Sequence, residues 1–279
     1  MNVQGLKMNE LETLAKKKLV FHFYIPQNWE THPIVHLHLK LLRHYSYYFN
    51  EMLIVIAVND ASDRKTIERV EEVIVRNCTG HIELKVIKND PVLREAVTCH
   101  DDFVMEIENY DGVLYFGHSK GIRNVDDGYD YTNICRWVCA LYYQLCDYHS
   151  FYTLCTDLNA LSTGALLTEI QFDVPVDTNH TWYYMGSFIG VMCTKFLRYC
   201  KLFKKDFKTP LGDRFYAEFY LPYIHNKEFC VVQNNLYRIG QCDVYHNIDE
   251  HLTTIFNNEE MDKFNNFANL IENESVVIY

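Results

Sequence analysis

The sequence predicts an α/β fold with a mostly parallel sheet and flanking helices, and two observations support this prediction. Short apolar runs alternate with helix-like segments over roughly a hundred residues, the pattern of parallel strands joined by crossover helices. The fourth apolar run, 113–117, stops abruptly at His118-Ser119-Lys120-Gly121. Ligands of such sheets bind just beyond the carboxyl ends of the strands, so this polar stretch marks a candidate active site.

The first half of the chain divides clearly into alternating elements. Short aromatic and β-branched runs, or runs that alternate, predict strands; they lie at 19–25, 52–58, 81–87 and 113–117. Apolar residues spaced three and four apart predict the intervening helices; these lie at 34–49, 64–78 and 91–108.

The second half is less regular. An aromatic segment predicts one long helix over 130–152, and a basic segment predicts a helix over 192–207. The apolar run 182–191 is strand-like, whereas 218–224 suits either a helix or a buried strand. A polar, Asn-rich segment over 249–273 predicts a C-terminal helix or helix pair.

Composition restricts the class of protein. The chain has 279 residues, of which 48% are hydrophobic and 23% charged, so it can bury a substantial core. A formal charge of -11 argues against a nucleic-acid partner, because phosphate binding needs a basic surface. Ten cysteines without metal-site spacing read as reduced thiols. With neither a signal-peptide pattern nor a membrane-length apolar run, we expect a cytoplasmic protein.

The turn after the second strand, Asn59-Asp60-Ala61-Ser62-Asp63, is the first candidate site. Acidic side chains at a strand's carboxyl end can accept hydrogen bonds from a nucleobase or ribose. The same residues suit an Asx turn in which Ser62 or Asp63 caps the following helix. Both interpretations hold equally well on the sequence.

The stretch after the fourth strand is the second candidate. Lys120 can bind a diphosphate oxygen, and His118 can bind the same group or a metal ion. The simpler alternative is that Lys120 extends into water and His118 only ends the strand.

Several motifs resemble those of glycosyltransferases with the GT-A fold. The turn at 59–63 is similar to the Asp-Asp-x-Ser-x-Asp turn that holds the base of a sugar nucleotide in that family. Residues 110–121, which follow Leu93-Arg94-Glu95-Ala96-Val97-Thr98, resemble a Tyr-Leu-His-Thr-Lys-Gly signature. That signature is typical of glycosyltransferase-like proteins related to rhamnan-synthesis enzymes. Three further segments match that group's later motifs in order, over residues 19–224 in all: Cys135-Arg136-Trp137, 182–189 and Tyr216-Ala217-Glu218-Phe219-Tyr220.

The resemblance implies a GT-A-like (Rossmann-like), mostly parallel sheet with a helical C-terminal elaboration. It implies an enzyme that moves a hexosyl or deoxyhexosyl group from a nucleotide sugar to a surface polysaccharide or other glycan. The residues implied to bind the donor are Pro26, Asn59, Asp60, Asp63, Glu95, His118, Ser119 and Lys120. Those implied to bind the acceptor are Trp182, Gly186 and Ser187.

Glu218 is the candidate catalytic base, because burial among apolar residues would raise its pKa. Glu218 also suits two structural roles: a glutamate that faces solvent on an amphipathic helix, or one that forms an ion pair with Arg214. Most relatives hold Mn²⁺ or Mg²⁺ with an Asp-x-Asp pair, and His118-Ser119-Lys120 stands there instead. The sequence therefore leaves open a metal-independent enzyme or a site that uses His118 as a ligand.

The predicted organisation is a polar leader (1–17), a catalytic domain (18–245) and a C-terminal helical extension (246–279). The catalytic domain divides into a nucleotide-binding half over 18–125 and an acceptor half over 126–245. The basic segment 195–208 is a candidate contact with the inner face of a membrane, convenient for a lipid-linked acceptor, although a solvated helix face explains it more simply. The alternative function is a catalytically silent module that binds a nucleotide sugar or a glycan.

Overall fold

A computed structural model describes residues 15–169, 182–184, 187–209, 216–231 and 248–278. Its centre is a six-stranded sheet in the order β3-β2-β1-β4-β8-β5. β1, β2, β3 and β4 are parallel, and β8 runs antiparallel to both β4 and β5. This arrangement confirms the predicted α/β fold with a mostly parallel sheet and flanking helices.

The elements are numbered in chain order. The strands are β1 (Lys16–Ile25), β2 (Glu51–Val58), β3 (His81–Lys88), β4 (Gly112–His118), β5 (Ser162–Gly164), β6 (Leu167–Glu169), β7 (Trp182–Tyr184) and β8 (Ile189–Met192). The helices are α1 (Pro33–Tyr45), α2 (Arg64–Asn77), α3 (Glu95–Thr98), α4 (Ile122–Asp126), α5 (Tyr131–Leu145), α6 (Tyr148–Thr156), α7 (Cys193–Phe203), α8 (Tyr216–Ile224), α9 (Ile248–Ile255) and α10 (Asn258–Asn273). A π-helical turn (Cys99–Val104) follows α3, and a 3₁₀ turn (Lys227–Phe229) follows α8.

Side chains of the central strands alternate between two cores, as the pleat of a sheet requires. On one face Phe21 and Tyr115 pack with α1, α2, α5 and the C-terminal helices. On the other face Val20 and Phe116 pack with the π-helical turn, α7 and α8. Because both faces are covered, β4 is buried along its whole length, which explains its unbroken apolar sequence.

The structure corrects three of the predicted elements. The segment 91–108 holds only the single turn α3 and the π-helical turn, instead of one helix. The predicted helix 130–152 is two helices, because the Asp147 side chain accepts a hydrogen bond from Ser150 N and starts α6. The run 182–191 contributes β7 and β8 to different sheets.

The sequence left alternatives open for two further segments, 218–224 and 249–273, and both are helical. Residues within 218–224 belong to α8, and the Asn-rich C-terminal segment is the helix pair α9 and α10. α10 begins with a capping box formed by Asn257 and Glu260. The C-terminal helical elaboration is therefore confirmed.

The end of the described chain is fastened to α1 and α2. Lys40 Nζ donates to the Glu272 carbonyl at 2.7 Å. Asn77, which is buried, bonds the backbone of Val277 twice: its Nδ2 donates to the carbonyl at 2.8 Å, and its Oδ1 accepts from the amide at 3.0 Å. The side chain of Asn77 thereby substitutes for a neighbouring strand and satisfies both polar groups of one residue.

We expect Asn77→Ala to lower the free energy of unfolding by about 1–3 kcal/mol, because it removes both part-buried hydrogen bonds to the backbone of Val277. Urea denaturation measures this loss, and hydrogen exchange should show faster exchange at 274–278. Asn273→Ala is the matched control, since Asn273 Nδ2 bonds only a carbonyl of its own helix, Asn269 O at 2.8 Å. Equal losses in the two variants would contradict the role assigned to Asn77.

Candidate functional site

A cleft of about 90 Å³ opens at the carboxyl ends of β1 and β4. Its volume suits a phosphate-sized group and is smaller than the ~300 Å³ at which pockets for whole small molecules begin. The lining is strongly polar. The residues that line it are His22, Tyr24, Asn89, Arg94, Glu95, His118, Ser119, Lys120, Gly121, Ile122, Arg123 and Asn124.

The floor of the cleft forms where β4 ends beside a longer β1. Pairing of the two strands stops at His22 and His118, while β1 continues to Ile25. Ser119 then ties the strands together: its amide donates to the His22 carbonyl at 2.9 Å, and its Oγ accepts from Tyr24 N at 2.8 Å. This predicted donor-binding residue therefore holds the floor of the cleft in place.

Lys120 is positioned from two sides. Its ammonium lies 5.2 Å from the centre of the Trp137 ring, a cation–π contact made by α5. Its carbonyl accepts a hydrogen bond of 2.8 Å from His38 Nε2. Because Nε2 must carry the proton, His38 Nδ1 accepts from the Tyr142 hydroxyl at 3.1 Å. The turn that presents Lys120 thus rests on a buried, neutral histidine.

His118 is buried and faces Glu95, with 3.9 Å between Nδ1 and Oε1. Beside them His22 Nδ1 lies 2.8 Å from Thr98 Oγ1. Burial lowers the pKa of His22 to about 4, although the Glu95 carboxylate opposes this shift. α3 therefore brings one carboxylate and one hydroxyl against two histidines at the strand ends.

Two arginines in the cleft were not among the predicted site residues. Arg94 lies directly before α3 with φ 52° and ψ −128°, a conformation that is costly for a residue with a side chain. Arg123, from the first turn of α4, stacks its guanidinium 5.1 Å from the centre of the Tyr24 ring. The only feature of the sequence that could have indicated them is their position beside predicted site residues: Arg94 precedes Glu95, and Arg123 follows the 118–121 stretch.

The turn after β2 adopts the local structure that the sequence allowed as an alternative. Asp60 Oδ1 accepts from Ser62 N at 2.9 Å, and Asp63 Oδ1 accepts from Thr66 N at 3.1 Å as the N-cap of α2. Hydrogen bonds from the side chain and backbone of Ser62 lower the pKa of the Asp60 carboxyl group, and those from the side chain and backbone of Thr66 lower that of Asp63. Neither aspartate lines the cleft, so their contact with a nucleoside stays a prediction.

Asn59 connects this turn to the cleft. Its Nδ2 donates to the Tyr24 hydroxyl at 3.2 Å, and its Oδ1 accepts from Asn89 Nδ2 at 2.9 Å. Tyr24 and Asn89 both line the cleft. Amide and phenol groups thus continue from the cationic end toward the exposed turn at 59–63. Pro26, the other predicted donor contact, follows β1 and lies outside this lining.

The predicted acceptor residues are either absent from the lining of the cleft or outside the described structure. Trp182 is buried in β7, with its ring centre 5.3 Å from that of His225. Ser187 is fully buried with φ 56°, and its Oγ has no hydrogen-bond partner among the described residues. Gly186 and the side chain of Glu218 lie outside the described residues, although the backbone of Glu218 belongs to α8.

Within the described ranges, no three histidine, cysteine, aspartate or glutamate side chains converge as metal ligands. His118 and Glu95 supply a pair at most, so a role for His118 as a metal ligand stays a prediction. The described cysteines are free thiols. No helix in the described part of the chain combines the length and apolarity needed to cross a membrane.

The loop glycine of the cleft is required by its conformation and its neighbours. Gly121 has φ 92°, and a Cβ there would lie 2.6 Å from Ile134 Cγ2. We expect Gly121→Ala to lower the free energy of unfolding by about 2 kcal/mol more than Gly128→Ala. Gly128 has a similar φ of 88° but no neighbouring heavy atom within 4 Å, so it isolates the steric clash. Urea denaturation measures both, and equal losses would contradict this reason for Gly121.

Three buried histidines make stability depend on pH. Burial lowers the pKa of His22 and His225 to about 4 and that of His38 to about 3. Between pH 6.5 and these values the unfolded chain binds protons that the folded chain does not, so acid destabilises the fold. At pH 5 each such histidine costs about 2 kcal/mol.

We expect the thermal midpoint to fall steadily from pH 7 to pH 5, and less steeply in His38→Gln. The control is His149→Gln, because His149 is exposed. Thermal unfolding followed by circular dichroism across this range measures the slopes. A slope in His38→Gln as steep as in the wild type would show that His38 is protonated in the folded state.

Comparisons with known proteins give no family for the chain. No protein-family profile matches it, and no curated protein matches it. Among solved structures, 4-diphosphocytidyl-2C-methyl-D-erythritol synthase from Anaerococcus prevotii aligns with 74% of this chain and 84% of its own. The two share 9% sequence identity with a TM-score of 0.37. A likeness at this level carries no information on activity.

Proposed function

We propose that this protein is a glycosyltransferase that takes its sugar from a nucleotide donor and binds the donor diphosphate with cationic side chains. The supporting observation is that Arg94, Lys120 and Arg123 line one small cleft at the carboxyl ends of β1 and β4. Open α/β sheets bind their ligands at this edge. The cleft has the size of a phosphate group, and its cations supply the complementary charge.

The chemistry that these cations support is stabilisation of a leaving diphosphate. Transfer of a glycosyl group breaks the bond between the sugar and the diphosphate, and negative charge grows on the departing oxygen. Guanidinium groups bind phosphate oxygens in a bidentate manner, and the lysine ammonium acts as a point charge. Held in place before the reaction, such groups stabilise the transition state without reorganisation.

The remainder of the donor would extend from this cleft toward Asn59. The linked side chains of Tyr24, Asn59 and Asn89 offer phenol and amide groups in that direction. Such groups can bond a ribose or a base. The exposed turn at 59–63 lies farther along the same line, consistent with a nucleoside placed over the ends of β1 and β2.

Deprotonation of the acceptor hydroxyl is assigned to Glu218 in this proposal. A carboxylate in an apolar helix suits the task because burial raises the pKa of a carboxyl group toward neutrality. Ser187 and Gly186 are the proposed acceptor contacts. Direct displacement with Glu218 as base would invert the configuration at the sugar carbon.

The proposal is tested by ligand-induced stabilisation with UDP-, GDP-, CMP- and dTDP-sugars, each with Mn²⁺ or with EDTA. We expect at least one donor to raise the thermal midpoint, including in EDTA. Arg123→Gln or Lys120→Gln should weaken binding about tenfold or more, since a charged hydrogen bond contributes about 1.5–3 kcal/mol. The control is Arg198→Gln, an exposed arginine of the helix Cys193–Phe203 outside the cleft. A protein stabilised by none of these donors contradicts the proposal.

Catalysis is separated from binding with Glu218→Gln. This variant should bind the donor as the wild type does and lose hydrolysis or transfer of the sugar. Glu228→Gln, at an exposed glutamate in the following turn, should keep both properties. Donor binding without any turnover by the wild type would instead favour a silent binding module.

A further inference from the structure

The surface of α7 differs in charge from the rest of the protein. The chain carries a formal charge of -11, yet residues 193–209 contain six lysines or arginines and a single aspartate. α7 buries one face, formed by Cys193, Phe196 and Cys200, against the sheet. The opposite face and the C-terminal end of the helix are exposed, so the basic residues lie on an open surface.

The cations of this segment fall into two groups. Lys195 Nζ donates to the carbonyls of Leu154 and Asp157, and Lys208 forms a salt bridge with Glu108. These two lysines are engaged within the fold. The remaining four basic residues are exposed and make no salt bridge with any described residue; they are Arg198, Lys201, Lys204 and Lys205.

Two large apolar side chains protrude among these cations. Leu202 is 71% exposed and Phe203 is 54% exposed, both in the last turn of α7. The helix ends at Lys204, which adopts a left-handed conformation with φ 52° and bonds the Cys200 carbonyl through its amide. Because the chain leaves the helical direction at Lys204, the side chains of Leu202 and Phe203 lie at the end of the helix. Phe203 packs one side of its ring against Tyr199, with 4.6 Å between the ring centres, yet both apolar side chains remain more than half exposed.

We propose that the tip of α7, residues Arg198, Lys201, Leu202, Phe203, Lys204 and Lys205, docks on an anionic lipid bilayer. Cations surrounding exposed apolar groups match the chemistry of a membrane interface, where lipid phosphates lie above the acyl chains. A nucleic acid would use the cations and leave Leu202 and Phe203 in water. The bilayer accounts for both kinds of side chain, and this inference does not depend on the proposed transferase activity.

The strength of such binding follows from charge and apolar burial together. Each cation near an anionic surface contributes roughly a fivefold increase in affinity, and this attraction weakens with ionic strength. Insertion of Leu202 and Phe203 adds a contribution that salt does not screen. Binding should therefore need both the charges and the apolar pair.

The test is co-sedimentation of the full chain with vesicles of phosphatidylcholine alone or with roughly 30% phosphatidylserine, at low and high salt. We expect binding only to the mixed vesicles, and less at high salt. The double variant Leu202→Ser/Phe203→Ser should weaken binding at least tenfold. The triple variant Lys201→Gln/Lys204→Gln/Lys205→Gln should weaken it about a hundredfold, and all these positions are exposed, so the thermal midpoint should not change.

Matched controls separate this surface from general effects of charge and apolarity. Leu270→Ser changes a leucine that is 53% exposed on α10, and Arg64→Gln/Lys65→Gln/Lys88→Gln removes three exposed cations elsewhere. Both controls should bind the mixed vesicles as the wild type does. The proposal is overturned if the wild type does not co-sediment with the mixed vesicles, or if the controls lose as much binding as the α7 variants. Binding to a DNA duplex in place of vesicles, unaffected by Leu202→Ser/Phe203→Ser, would also overturn it.

Discussion

The parallel pairing of β1 with β4 is the constraint on which the rest of the site depends. It ends at His22 and His118, and the backbone of Ser119 extends the connection to the last part of β1. Every residue of the cleft is placed relative to that junction: Lys120 follows it directly, α3 packs Glu95 and Thr98 against its histidines, and Arg123 crosses it to reach Tyr24. A shift of one residue in this pairing would exchange the two faces of β4 and disperse the cluster.

The parts of the fold that sequence predicted well are those governed by local periodicity and turns. The four parallel strands and α2 were placed to within a few residues because apolar runs there stop at Pro, Gly, Asn or Asp. The failures have equally physical causes. The segment 91–108 has helical composition, but a positive φ at Arg94 and a π-helical turn interrupt it where it contacts β1 and β4. Within 130–152, a single capping aspartate outweighs continuous helical spacing.

The candidate site was predicted in part, for a related reason. His118, Ser119 and Lys120 line the cleft, since position at a strand end can be inferred from the sequence. Glu95, which only the family resemblance implied, lines it too. Arg94 and Arg123 were missed because only their neighbours in the chain pointed to the site, and their proximity to each other arises only in the folded structure. In the acidic turn at 59–63, the carboxylates accept hydrogen bonds within the turn and at the start of α2. These local hydrogen bonds account for the acidic residues that suggested ligand binding. No sequence pattern indicated His38, because its role is to donate a hydrogen bond to the backbone carbonyl of Lys120.

The support of Lys120 by His38 and Trp137 also bears on the entropy of recognition. A surface lysine samples many rotamers, and ordering it on a ligand costs up to about 2 kcal/mol at room temperature. Here the backbone of Lys120 is fixed by the His38 hydrogen bond, and its side chain already rests against an indole ring. Much of that conformational freedom has been lost during folding. An anion entering the cleft therefore meets a charge whose position was decided by the core, and more of the electrostatic attraction remains as net affinity.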